Sequence, residues 1–87
     1  MELKQLESFV AVVVYKSFTE AAKQLYISQP TISTHIQALE KELESKLITR
    51  TTKSIELTNR GKEVFQNCDT VLLAVGFYNF LLIRDAG

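Results

Sequence analysis

The stretch Ala21-Ala22-Lys23-Gln24-Leu25-Tyr26-Ile27-Ser28-Gln29-Pro30-Thr31-Ile32-Ser33-Thr34-His35-Ile36 decides the fold of this 87-residue chain. It reads as a short helix, a tight turn and a longer helix that opens with Ser28. The paired alanines let a second helix come close, and Leu25 and Ile27 are the apolar residues that plug the junction. Ser28 suits an N-cap, because its hydroxyl can accept from an otherwise unpaired amide of the first turn. Pro30 falls within that turn, where a missing N–H costs little. Further on, Ile32, Ile36, Leu39 and Leu43 recur at three- and four-residue steps and form a one-face helical stripe.

The opposite face carries the functional signal. At about 100° per residue, Pro30, Thr34, Gln37 and Lys41 lie across from the stripe, with Gln29 and Ser33 beside them. A hydrogen-bonding face near a helix N-terminus suits the base edges of a DNA major groove. Glutamine can pair bidentately with adenine, and serine or threonine can donate or accept. Spacing alone describes an ordinary amphipathic helix with a solvated face equally well.

The matching residues extend well beyond this helix pair. They run from Leu6 to Val13, through Ser17-Phe18-Thr19 with Ala21-Ala22, and over Leu25-Tyr26-Ile27-Ser28-Gln29-Pro30. They continue as Ile32-Ser33, Ile36, Leu39-Glu40, Glu42-Leu43, Leu47, Arg50, Leu57-Thr58 and Gly61. In this order and without gaps, over roughly residues 1 to 70, the chain resembles the N-terminal DNA-binding domain of LysR-type bacterial transcriptional regulators. The resemblance implies a mainly α winged helix-turn-helix, three helices plus a two-stranded wing, over residues 1–58. A long C-terminal linker and dimerisation helix over residues 59–87 would follow.

The expected DNA contacts are Thr19, Ser28, Gln29, Pro30, Thr31, Ser33, Thr34 and Gln37. By resemblance, Arg50 meets the DNA backbone and Lys53 reaches toward the minor groove. Thr19 is expected to cap the second helix, whose N-terminus favours anions such as phosphate. The resemblance also implies a homodimer or higher oligomer on an inverted-repeat operator, with RNA polymerase as a further partner. Such regulators continue into a large ligand-sensing domain, which this sequence does not contain. The chain reads as an excised fragment or a naturally short protein, with the fragment favoured, and a small-molecule effector is expected only in a full-length protein.

Three departures from the family pattern stand out. A glycine often precedes the Ser-Phe pair, where this chain has Lys16. A basic residue is common where it has Thr34. A glycine often ends the recognition helix where it has Glu44, which lengthens the helix or moves its cap to Ser45-Lys46.

The remaining elements follow from pattern. Residues 2 to 15 read as a first helix with Leu3, Leu6, Val10 and Val13 on one face and Phe9 beside them, and Phe18 plugs the core after the break at Lys16-Ser17. Leu47-Ile48-Thr49-Arg50 and Ser54-Ile55-Glu56-Leu57 read as two strands, a hairpin that must pack on the helices because it is marginal alone. Thr58 caps a last helix with Val64, Phe65, Cys68, Val71, Leu72 and Val75 at three- and four-residue spacing. Run to the end, it would be about 40 Å long. Residues 77–83 are apolar on every side, and Gly76 weakens helix continuity by about 1 kcal/mol. Val64, Cys68, Val71, Leu72, Val75, Phe80 and Leu82 are the expected dimerisation residues, because a lone domain could not cover such a surface.

Ten basic and ten acidic residues cancel, where a nucleic-acid binder is usually basic. The charge is unevenly placed, however. Lys46, Arg50, Lys53, Arg60 and Lys62 oppose Glu56 alone in a window of net +4, while Glu40, Glu42 and Glu44 cluster at the far end of the recognition helix. That balance would also suit a winged-helix module that binds protein, the alternative function. One cysteine excludes an intrachain disulfide and points to a reducing, cytoplasmic setting. No signal peptide or membrane-spanning run is evident. One histidine and one cysteine provide no zinc spacing, and no phosphate loop or catalytic set is present. The expectation is a non-enzyme without metal or cofactor, with His35 at a helix edge and Cys68 a small core hydrophobe.

Overall fold

The structure, a computed structural model, describes residues 2–51 and 54–74, with side-chain surroundings through residue 68. Helices α1 (Leu3–Tyr15), α2 (Phe18–Leu25) and α3 (Gln29–Leu43) precede strands β1 (Ile48–Arg50) and β2 (Ile55–Leu57) and helix α4 (Asn59–Ala74). The mainly α winged helix-turn-helix is thus confirmed. The strands pair antiparallel, with Ile48 opposite Leu57, Thr49 opposite Glu56 and Arg50 opposite Ile55.

Helix α1 differs from the one-face reading. Ser8 to Val12 are all fully buried, Leu6 and Val13 are only partly covered, and Leu3 is 45% exposed. The cause is tertiary: α2 and α3 pack on α1 from one side, and α4 and β2 from another. The middle of α1 is therefore enclosed all round, while its first turn projects past the domain. Phe9 meets Phe65 of α4 edge to face at 6.4 Å between ring centroids.

Each of the first three helices ends on a non-glycine residue in the left-handed region, at Lys16 (φ 53°), Tyr26 (φ 58°) and Glu44 (φ 51°). Glu44 neither lengthens α3 nor shifts its cap. It takes the left-handed conformation itself, and the amides of Glu44 and Ser45 close back on carbonyls of the last turn. Thr19 as a cap is a further expectation that fails. Ser17 caps α2, its Oγ accepting from the Glu20 amide at 3.0 Å, and Thr19 lies inside the first turn. Ser28 does cap α3, and Pro30 sits in its first turn.

The wing is fastened by two side chains. Glu40 of α3 turns inward, and its Oε2 accepts from the amides of Leu47 (2.8 Å) and Ile48 (3.4 Å). Thr58 accepts from the Gly61 amide at 2.9 Å, as a cap of α4, and donates to the Lys46 carbonyl at 2.6 Å. Gly61 permits this junction: a Cβ there would run into the Leu47 carbonyl.

Two of the expected dimerisation residues are corrected. Val64 and Cys68 are 7% and 3% exposed and belong to the domain's own core, because the first half of α4 lies against α1. Val71 and Leu72 lie on α4, but their side chains fall outside the described residues, as do Val75, Phe80, Leu82 and Gly76 altogether.

Candidate nucleic-acid interface

Helix α3 is held from behind. Ile32, Ile36 and Leu39 are buried against the core. Ser8 Oγ of α1, itself fully buried, lies 2.7 Å from Nδ1 of His35. His35 thus sits half-buried at the edge of α3, as expected, and there links α3 to α1. With its back fixed, α3 exposes Gln29, Pro30, Thr34, Gln37 and Lys41, and half-exposes Ser33. These are the residues that helical spacing placed opposite the core stripe.

Four of the candidates also bond within the chain. The hydroxyls of Ser28 and Thr31 share a hydrogen bond at 2.8 Å, and Ser28 Oγ also accepts from the Thr31 amide at 3.2 Å. This pair stabilises the start of α3 by satisfying an orphan donor. Thr19, exposed at the start of α2, donates to Gln29 Oε1 at 3.2 Å. That bond ties the first residue of α3 to the N-terminus of α2 and leaves the Gln29 amide nitrogen available to an acceptor outside the chain.

Beside α3 runs a groove of about 320 Å³, lined by Phe18, Ser33, Ile36, Gln37, Glu40, Lys46, Ile48 and Arg50. A second depression joins Thr19 and Gln29 to Arg50, Thr51 and Ser54. The polar face of α3, the start of α2 and the loop end of the wing strands therefore form one continuous surface. Arg50 is exposed, and its guanidinium carbon lies 3.5 Å from the centroid of the Phe18 ring. Among the described residues it has no carboxylate partner. Lys53 is outside the described residues.

The acidic cluster at the end of α3 is weaker than the sequence suggests. The side chain of Glu40 is only 12% exposed, committed to the β1 amides and within 3.8 Å of the Lys46 ammonium. Glu42 and Glu44 remain exposed, away from the groove lining. Burial pushes the Cys68 thiol up to about 11, so it stays protonated and unreactive near neutrality. No three His, Cys, Asp or Glu side chains converge as a metal site among the described residues, and no helix there is long and apolar enough to cross a membrane.

Sequence reasoning missed the roles of Phe18 and Glu40 at this surface. Thirty-odd residues separate Phe18 from Arg50, and no periodicity links positions so distant.

The sequence pattern of the bacterial regulatory helix-turn-helix proteins of the lysR family matches residues 3–62. The chain belongs to the LysR family. Its described part is the family's helix-turn-helix DNA-binding domain. Among its relatives, the HTH-type transcriptional regulator TfdT of Cupriavidus pinatubonensis is 45% identical over 75 residues, which is 86% of this chain and 32% of TfdT. CitR of Bacillus subtilis is 42% identical over 62 residues, 71% of this chain and 21% of CitR. The chain thus spans a third or less of these regulators. The crystal structure of the BenM_DBD/catB site 1 DNA complex superposes with a TM-score of 0.82 at 39% identity, covering 100% of this chain and 97% of that one. The CbnR_DBD-DNA complex gives 0.80 at 34% identity and full coverage of both chains.

Proposed function

We propose that this LysR-family domain reads duplex DNA by inserting the N-terminal half of α3 into the major groove, and that it does so as a homodimer on an inverted-repeat operator. The observation that carries the reading is the continuity of the surface. An exposed, uncharged hydrogen-bonding face on α3 borders an exposed, carboxylate-free arginine at the loop end of β1. In the division of labour usual at DNA, base edges are met by the first kind of group and phosphates by the second.

Gln29, Ser33 and Gln37, with Pro30 and Thr34, are the proposed base readers. Arg50, Thr19 and Lys53 are the proposed backbone contacts. Ser28 and Thr31 act chiefly by holding the helix start. Dimerisation is assigned to Val71, Leu72, Val75, Phe80 and Leu82, now without Val64 and Cys68. A symmetric pair would set two recognition helices about 34–36 Å apart along one face of the duplex. The protein is proposed to work in the cytoplasm, alongside RNA polymerase, and to answer to a small-molecule effector through a further domain of the LysR kind. Neither catalysis, nor a metal, nor a cofactor has a part in this reading.

Selection of sites from a random DNA pool tests the proposal, followed by affinities for selected and random duplexes at several salt concentrations. Gln29→Ala and Ser33→Ala should each weaken the selected site by roughly 1–3 kcal/mol and random DNA much less. Arg50→Ala should weaken both alike and lower the salt slope by about 0.9. A pool that yields no enriched sequence contradicts the reading.

A further inference from the structure

The proposed Arg50–phosphate contact raises a physical difficulty that the structure answers. An arginine on a three-residue strand, exposed to water, has many rotamers, and a mobile side chain makes a weak phosphate contact because binding must freeze it. Here it is not free. The guanidinium carbon lies 3.5 Å from the Phe18 ring centroid, a face-on distance at which ring and cation attract. Phe18 is itself anchored by packing: it is 8% exposed, belongs to the core cluster, and is the first residue of α2, directly after the Ser17 cap.

The geometry has a second consequence. A guanidinium stacked by its flat face keeps all of its N–H donors in the plane, pointing away from the ring at its edges. Stacking therefore fixes the group without consuming the donors that a phosphate needs. The same ring lines the groove that holds Ser33 and Gln37 and the depression that holds Thr19 and Gln29. Phe18 thus couples the loop end of β1 to the start of the helix-turn-helix.

Resting on the DNA reading above, we propose that Phe18 is a positioning residue for DNA binding, its ring serving as the platform that pre-orients the Arg50 guanidinium toward the sugar-phosphate backbone. The role is separate from filling the core. A leucine or methionine could supply the buried volume but not the π face.

The test combines duplex affinity with an NMR signature of the free chain. In wild type the Arg50 side-chain Nε–H resonance should be shifted by the ring current of Phe18, and Phe18→Leu should remove that shift. Phe18→Leu and Phe18→Met should weaken binding to selected and random duplexes alike by about fivefold. Phe18→Tyr should bind like wild type. In an Arg50→Ala background, Phe18→Leu should have no further effect. A melting curve identifies any variant that fails to fold, in which case Phe18→Met and Phe18→Tyr decide. Full, additive losses from Phe18→Leu in the Arg50→Ala background would show a purely structural role and overturn the proposal. So would wild-type affinity in the Leu and Met variants, or in Arg50→Ala, and in these cases DNA binding itself would stand. Wild-type chain that binds no duplex at low salt would instead remove the DNA reading, and this proposal with it.

Discussion

Gly61→Ala places one methyl group where the structure has no room for it. The new Cβ would collide with the Leu47 carbonyl oxygen, with the carbonyl carbon at 3.0 Å and Leu57 Cδ2 at 3.1 Å. The obstacle is backbone and is held from both sides. The Leu47 oxygen accepts from the Thr58 amide at 3.0 Å, and the Leu47 amide donates to Glu40 at 2.8 Å. Overpacking of this kind costs about 1–3 kcal/mol, and prising the carbonyl from Thr58 adds about 1 kcal/mol. Alanine returns up to about 1 kcal/mol through its better helix propensity. The net loss is about 2 kcal/mol. With unfolding entropy of about 2.1 cal/mol/K per residue, or about 0.18 kcal/mol/K for this chain, the melting temperature should fall by about 11 °C. Circular dichroism at 222 nm during a thermal scan measures it. A melting temperature unchanged or raised would refute the packing of α4 on the base of the wing.

Lys16→Gly and Glu44→Gly should each stabilise the fold by about 0.5–1 kcal/mol in urea titrations, since relief of the left-handed backbone outweighs the added freedom of the unfolded chain; a loss in either would contradict the cap geometry. Glu40→Ala strips the acceptor from the buried Leu47 amide and should cost about 2 kcal/mol by the same assay. The Cys68 thiol has a raised pKa in the folded state, so its contribution is complete below about pH 9 and is lost as pH climbs toward 11. Between pH 8 and 10.5 wild type should lose about 2 kcal/mol more than Cys68→Ala, and equal losses would place the thiol in water. Leu72→Glu should convert a micromolar dimer to monomer in light scattering with little change in helical content; a monomeric wild type would end the proposal for α4.

Local signals were the legible ones. The Ser28 cap, Pro30 in the first turn and the Ile32-Ile36-Leu39 stripe are set by neighbours within one or two helical turns, so α3 and its exposed face could be read directly. The Ser17 cap was legible too, through the capping-box spacing from Ser17 to Glu20, but Thr19 was the residue read as the cap. Glu44 was obscured for a different reason. Local rules favour glycine at a left-handed helix end, and α3 must nevertheless stop there for Glu40 to reach the amides of β1. The enclosure of α1 and the inward turn of Val64 and Cys68 depend on where α4 comes to rest, which a helical stripe alone does not specify. At the interface, the base-reading candidates were visible as a face, while the Phe18–Arg50 stack and the Ser8–His35 link join residues 27 or more positions apart.

The most direct test of the central claim is an NMR titration of the isotope-labelled chain with a selected duplex. The largest backbone and side-chain shift changes should fall on residues 28–37, at the start of α2 around Thr19, and at Arg50 and Ser54 of the wing. Changes concentrated instead on Glu42 and Glu44, or on the exposed first turn of α1, with residues 28–37 unmoved, would contradict it.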